Sequence, residues 1–136
     1  MKPVFIQIVA AVLLLFNGIG ACYGGYHLMM HPDGSSLEMS LKYLDDTPFG
    51  SYFIPGIVLF ICNGLCSFFV LLAMLLKFKS AAILTVFQGA ILIGWIIIQV
   101  ILIGTLNHLH MILASAGAGL VICGLLLLKS ESKAYW

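Results

Sequence analysis

Charged residues are scarce in this sequence, and their scarcity argues against a soluble globular fold. Only 8% of the 136 residues are charged and 62% are hydrophobic, whereas an average soluble domain is about one quarter charged. The net charge of +1 arises from six dispersed lysines and five acids, so the basic face that a nucleic-acid-binding protein needs is also missing. We therefore predict an integral membrane protein with no nucleic-acid partner.

Reactive cysteine motifs are also missing. The sequence contains no CxxC and no Cys/His spacing of the zinc-binding type. A membrane thiol oxidase would need reactive cysteines in its outer loops, and these loops contain none. All four cysteines lie in apolar stretches, where we interpret them as small packing residues. They are Cys22, Cys62, Cys66 and Cys123.

Four long runs of the chain contain no charged residue. Each is close to the ~20 residues that a helix needs to cross about 30 Å of hydrocarbon. Only helices and closed barrels satisfy the backbone in lipid, and the runs lack the alternation of barrel strands. They cover residues 4–26, 54–76, 81–103 and 109–128. The predicted fold is an all-α membrane protein, a four-transmembrane-helix bundle that forms a single domain over residues 1–136.

The lysines predict the orientation of the bundle. Five of the six lie on one side of the predicted membrane, namely Lys2, Lys77, Lys79, Lys129 and Lys133. By the positive-inside rule this side is cytoplasmic. Both termini, including a tail over residues 129–136, are then cytoplasmic, and the connection over residues 27–53 lies outside.

The first run has an alternative interpretation as a lipoprotein signal. Lys2, the apolar run and Ile19-Gly20-Ala21-Cys22 together resemble such a signal with its acylated cysteine. However, small-residue patterns of this kind arise easily in apolar segments, and the run continues beyond Cys22. We therefore favour a true first helix.

The outer connection contains signals for a short helix. Ser35 and Glu38 form a capping-box pattern, and apolar residues follow at i, i+4 and i+7. These apolar residues are Leu37, Leu41 and Leu44. The pattern predicts a short amphipathic helix over about residues 36–45, between helices 1 and 2, that lies on or caps the bundle.

Polar residues inside the spans have two interpretations. The simpler one is hydrogen bonding between helices, with a predicted contact between Asn17 and Asn63. The alternative is a cavity for a lipid, a quinone or another apolar ligand with a polar head. Such a cavity would be lined by Asn17, Asn63, Trp95 and Gln99. The core of no span contains an ionisable Asp, Glu, Lys, Arg or His, which argues against proton pumps and ion-coupled transporters.

Small residues are dense in the outer half of helix 1 and in helix 4, which predicts close helix packing there. One of these faces is free in principle to meet a partner or a second copy of the chain.

All four histidines lie on the predicted outer side: His27, His31, His108 and His110. Two histidines four residues apart can share a metal, so the group is a candidate zinc or copper site. However, Pro32 disfavours helical structure at His31, and His108 and His110 point to different faces of a helix. The alternative is that they are polar residues at the wet ends of helices.

Two segments resemble a known group of proteins. The segments GSSLEMSLKYLDDTPFGSYFIPGIVLF and GWIIIQVILIG are similar to those of a group of small four-helix proteins of the bacterial inner membrane. The resemblance covers roughly residues 26–104. It implies a bacterial inner membrane and the topology above, and it implies no activity or cofactor.

The function expected from the sequence is that of a non-enzymatic membrane protein. We expect an accessory subunit that meets a larger membrane complex, or another copy of itself, through its outer loop. Binding of an apolar ligand between helices is the second hypothesis, and an outer metal site built from histidines is the third.

Overall fold

The computed structural model describes residues 3–37, 41–45, 47–103 and 108–134. These residues form helices and turns, and no strand occurs among them. Four of the described helices are long and apolar enough to cross a membrane. In chain order they are α1 (Pro3–Met30), α2 (Phe53–Leu75), α3 (Ala81–Ile103) and α4 (His108–Ala134). The prediction of an all-α, four-span membrane protein is confirmed.

Helices α1 and α4 are longer than the apolar runs that predicted them. Helix α1 continues four residues beyond residue 26 and ends at Met30, two residues before Pro32. Helix α4 continues to Ala134, because no glycine or proline stops it after residue 128. The apolar run reports the part of a helix that lies in hydrocarbon, whereas the helix itself continues until its backbone hydrogen bonding is interrupted.

The four helices surround a common core. Helix α3 packs along α4, α1 packs against both α2 and α4, and α2 closes the arrangement by contacting α3. The largest apolar cluster draws residues from every helix, among them Leu14, Ala73, Ala82 and Leu120. Large apolar side chains cover the outside of the bundle, as expected for surfaces that face lipid.

Both of the small-residue faces noted in the sequence are used inside the chain. A Cβ atom on Gly89 of α3 would lie 2.6 Å from the carbonyl oxygen of Gly117 on α4. A Cβ atom on Gly25 of α1 would lie 2.8 Å from the carbonyl oxygen of Gly56 on α2. Each pair of helices therefore approaches backbone to backbone, which is the usual role of such residues in membrane bundles.

The end of the bundle that contains Lys77, Lys79 and Lys129 is called the lysine end. Here α2 ends in a Schellman motif, in which the Phe78 N–H binds the Ala73 carbonyl (2.9 Å) and the Lys77 N–H binds the Met74 carbonyl (3.1 Å). Lys77 has φ 60°, a left-handed conformation that costs an L-residue about 1 kcal/mol and that glycine usually occupies. The motif fixes the direction in which the chain leaves α2 and enters α3.

The opposite end, called the cap end, is covered by the connection between α1 and α2. Leu44 and Tyr52 are buried against Leu28 of α1, and the Tyr52 N–H binds the Pro32 carbonyl at 2.7 Å. Two short 3-10 helices, Ser35–Leu37 and Leu41–Leu44, overlap the segment of about residues 36–45 that is predicted to be a short helix. Glu38 and the side chains of Leu37 and Leu41 lie outside the described part of the chain. The connection is folded onto the bundle.

Asp33 closes the turn that follows α1. The Ser35 N–H donates a hydrogen bond to Asp33 Oδ1 at 3.0 Å, and Gly34 adopts φ 80° between them. This backbone hydrogen bond, followed by the Ser35 hydroxyl and a smaller contribution from His31, lowers the pKa of the Asp33 carboxyl below its ordinary value. The carboxylate accepts this hydrogen bond more strongly than the neutral acid does, and it is the form present at neutral pH.

Candidate functional site

The middle of α2 contains a wide turn. Residues Leu59–Leu65 form a π-helix, and the Cys66 N–H binds the Ile61 carbonyl five residues earlier. A turn of this kind interrupts the regular i to i−4 pattern and is frequently found at functional sites. Gly64 lies inside it, and a Cβ atom there would lie 2.6 Å from Cys22 Sγ of α1. The close approach of α1 and the widened turn therefore occur at the same level of the bundle.

Two carbonyl groups of the wide turn accept hydrogen bonds from neighbouring helices. Asn17 Nδ2 of α1 donates to the Asn63 carbonyl at 3.3 Å and to Ser67 Oγ at 2.8 Å. Gln88 Nε2 of α3 donates to the Cys62 carbonyl at 3.1 Å. We call Asn17, Asn63, Ser67 and Gln88 the polar centre. All four side chains are at most 2% exposed, so α1, α2 and α3 are joined by polar contacts in a water-poor interior.

The side chain of Asn63 differs from the rest of the polar centre. It is 1% exposed, and both Nδ2 and Oδ1 are buried without a hydrogen-bond partner in the described part of the chain. A buried amide in this state loses its hydration without recovering the energy elsewhere. Its Nδ2 amide group can therefore donate hydrogen bonds to, and its Oδ1 atom can accept them from, a small polar group inside the bundle.

The predicted contact between Asn17 and Asn63 is present, but it is made by the Asn63 backbone. The widened turn presents this carbonyl to α1, whereas the two amide side chains do not pair. Ser67 completes the contact, and it lies four residues after Asn63, a spacing that places both residues on one face of α2. Gln88 lies seven residues before Trp95 and eleven before Gln99, a spacing that places the three on one face of α3, but the sequence does not indicate its main-chain partner on α2.

Trp95 and Gln99 lie further along α3 from Gln88, and both are half-buried. Trp95 is two turns from Gln88, about 10 Å along the helix, and packs against Leu92, Ile96 and Ala116. The structure thus brings together Asn17 and Asn63 of the four residues proposed to line a cavity. On α3, Gln88 instead donates a hydrogen bond to α2.

The histidines form two groups at the cap end. The imidazole of His27 lies against Tyr23 (4.4 Å between ring centroids) and near His31 (6.5 Å, planes 21° apart). Despite Pro32, the His31 N–H still binds the His27 carbonyl at 2.8 Å, so these two histidines do keep helix-like spacing. On α4, His108 is exposed and His110 is 3% exposed, which places them on different faces as predicted.

Metal binding by these histidines would require further ligands. Among the described residues, no three or more His, Cys, Asp or Glu side chains are grouped so that they could hold a metal ion. Nδ1 of His27 is buried and has no hydrogen-bond partner within that part of the chain. The aromatic contacts of the ring support packing at the end of a helix.

A recess of about 350 Å³ opens on the cap end. We call it the outer recess, after the orientation that the lysines predict, and its lining residues are Leu44, Asp45, Thr47, Pro48, Phe49 and Gly50. The Thr47 hydroxyl donates to the Leu44 carbonyl at 2.8 Å and accepts from the Phe49 N–H at 3.3 Å, which fixes the turn. Leu44 is buried, whereas the Phe49 ring and the Asp45 carboxylate are exposed. The outer recess therefore presents an aromatic side chain beside a negative charge on an anchored turn.

Comparison with protein-family models, with curated proteins and with solved structures finds no match to this chain. Any functional assignment therefore rests on its own geometry.

Proposed function

We propose that this chain is a non-enzymatic accessory protein of the bacterial inner membrane, with both termini in the cytoplasm, that is recognised by a larger membrane complex through its outer recess. The observation that supports this proposal is the anchoring of the cap end. Leu44 and Tyr52 are buried against α1, so the neighbouring exposed residues are held in one position before a partner arrives. A preorganised surface of this kind loses little conformational freedom on binding.

The composition of the outer recess suits protein recognition. Aromatic side chains are enriched among the residues that contribute most to interfaces, and Phe49 is 37% exposed at the edge of the recess. Asp45 adds a charge that can orient a basic partner. The small-residue faces that were the other candidates for a partner are occupied within the chain by the α3–α4 and α1–α2 contacts.

Site-specific photocrosslinking tests this proposal. A photoreactive amino acid replaces Phe49 in the full-length protein in native membranes, and the same residue replaces Phe69 as a control. Phe69 is a lipid-facing phenylalanine of α2 that is 58% exposed. We expect a discrete protein adduct from position 49 that is absent from position 69 and is lost when Asp45→Lys is added. Adducts with lipid alone, or the same adducts at both positions, would contradict an outer interface.

A second candidate function is binding of an apolar ligand with a polar head. The unpaired Asn63 amide favours it, because a carbonyl or hydroxyl group of a quinone or lipid would complement its donor and acceptor. Native mass spectrometry of the full chain in mild detergent should then show a bound organic molecule that Asn63→Leu releases and Gly94→Ala retains. Gly94 is a suitable control because a Cβ atom there would meet nothing within 4 Å. A ligand-free wild-type protein would exclude this candidate.

A further inference from the structure

A cleft of about 280 Å³ lies at the lysine end of the bundle, opposite the outer recess. All four helices contribute to its wall, through Gln7 of α1, Met74 of α2, Ala82 of α3 and Leu127 of α4. The turn over residues 77–79 completes the wall. The cleft is therefore located where the four helices meet at one end of the bundle.

The cleft has an apolar floor and a polar rim. Met74, Ala82 and Leu127 are buried, whereas Lys77 and Lys79 are exposed. A charged group seated at the rim would meet the ammonium groups, and the carbon chain attached to it would meet the apolar floor. This arrangement fits an anion, and it also has room for a carbon chain attached to that anion.

The direction of the first lysine is set by the backbone. Lys77 occupies the left-handed position of the Schellman motif, where glycine is the usual residue. The chain thus carries a lysine at the position that turns the backbone from α2 towards α3. Because the C-terminus of α2 and the N-terminus of α3 meet at this turn, their helix dipoles oppose each other. The positive charge of the rim therefore comes from the lysine side chains.

No described carboxylate neutralises this rim. The acidic residues whose side chains are described, Asp33 and Asp45, both lie at the cap end. Glu131 lies one turn beyond Leu127 on α4, and its side chain is outside the described part. Lys129, at the same end of the bundle, is not among the residues that line the cleft. It supplies a matched control, because it has the same charge at the same end.

We propose that this cleft binds the phosphate of an anionic ligand, with Lys77 and Lys79 contacting the phosphate oxygens and Gln7 hydrogen bonding beside them. Ammonium groups are general phosphate binders, and basic pockets between transmembrane helices on the cytoplasmic side hold the head groups of anionic lipids. The same chemistry recognises a phosphate carried by a phospholipid or a phosphate free in solution. The proposal is independent of the outer recess and of its partner.

Native mass spectrometry of the full-length protein released from phosphatidylglycerol-containing nanodiscs tests the lipid source. Lys77→Gln with Lys79→Gln is compared with Lys129→Gln. Glutamine at position 77 keeps an L-residue in the left-handed position, so the backbone strain is unchanged. We expect retention of phosphatidylglycerol to fall about 25-fold in the double variant, roughly fivefold per lysine, and to change by less than about twofold in the control.

Titration of the delipidated protein with inorganic phosphate tests the soluble source. Phosphate binding that the double variant loses and Lys129→Gln keeps would support the cleft and identify a free phosphate as its ligand. Equal losses in the double variant and the control, or no loss in either assay, would overturn the proposal. If the double variant does not fold, Gln7→Glu replaces it, because a carboxylate at the rim should also repel the anion. Unchanged anion binding by Gln7→Glu would overturn the proposal as well.

Discussion

Asn17 and Asn63 are both buried amides of the polar centre, yet their side chains have opposite energetic roles. The Asn17 amide donates to two acceptors on α2, and hydrogen bonds between membrane helices contribute about 0.6 to 2 kcal/mol. The Asn63 amide has no partner within the described part of the chain, so its burial costs free energy that no hydrogen bond recovers. Residue type and burial alone do not distinguish the two.

Substitution by leucine should separate these roles. We expect Asn17→Leu to destabilise the protein by about 1–2 kcal/mol, because it leaves the Ser67 hydroxyl and the Asn63 carbonyl without their donor. Asn63→Leu should be neutral or stabilise the protein by up to about 1 kcal/mol, because it removes an unpaired amide. Reversible unfolding in mixed micelles measures both. A larger loss for Asn63→Leu would mean that a bound molecule normally satisfies this amide.

At the scale of the helices, contact between α3 and α4 depends on the absence of side chains at a few points. A Cβ atom on Gly89 would lie 2.6 Å from the Gly117 carbonyl oxygen and 2.8 Å from the Val121 N atom. Backbone atoms cannot move aside as a flexible side chain can, so the helices would have to separate. Gly94, five residues later on α3, faces open space. Only some glycines of a transmembrane helix therefore contribute to packing.

Paired alanine substitutions on α3 test this distinction. Gly89→Ala should destabilise the bundle by about 1–3 kcal/mol, the usual range for overpacking a tight contact. Gly94→Ala should leave stability unchanged or raise it slightly, because alanine is the better helix former by about 1 kcal/mol in soluble helices. Thermal unfolding of both variants in the same detergent measures the difference. Equal effects at the two positions would contradict a backbone contact between α3 and α4.

The whole molecule is polarised along the helix axes. One end consists of the compact turn between α2 and α3 with exposed lysines, and the other is covered by a folded connection that contains Asp33 and Asp45. The positive-inside rule predicts that the lysine end is cytoplasmic. The outer recess would then face the outside, and the phosphate cleft would face the cytoplasm.

Labelling of intact cells tests this orientation. Ser36→Cys places a thiol at the cap end and Ser80→Cys places one at the lysine end, and both positions are exposed. A membrane-impermeant maleimide should label the first variant in intact cells and the second only after the cells are opened. The wild-type protein controls for the four native cysteines. Labelling of Ser80→Cys in intact cells would reverse the predicted topology, with the outer recess in the cytoplasm.

The sequence by itself determined the four spans, because the hydrocarbon thickness sets a minimum apolar length that each run meets without help from its neighbours. It also indicated a contact at Asn17 and Asn63 and a folded segment near Leu44, since buried polar groups seek partners and apolar residues at helical spacing seek a surface. The widened turn over Leu59–Leu65 was decided only by the tertiary structure. An apolar sequence is compatible with both an α-helix and a π-helix. Which of the two forms here depends on the carbonyl acceptors needed by donor side chains on other helices, which lie far away in the sequence.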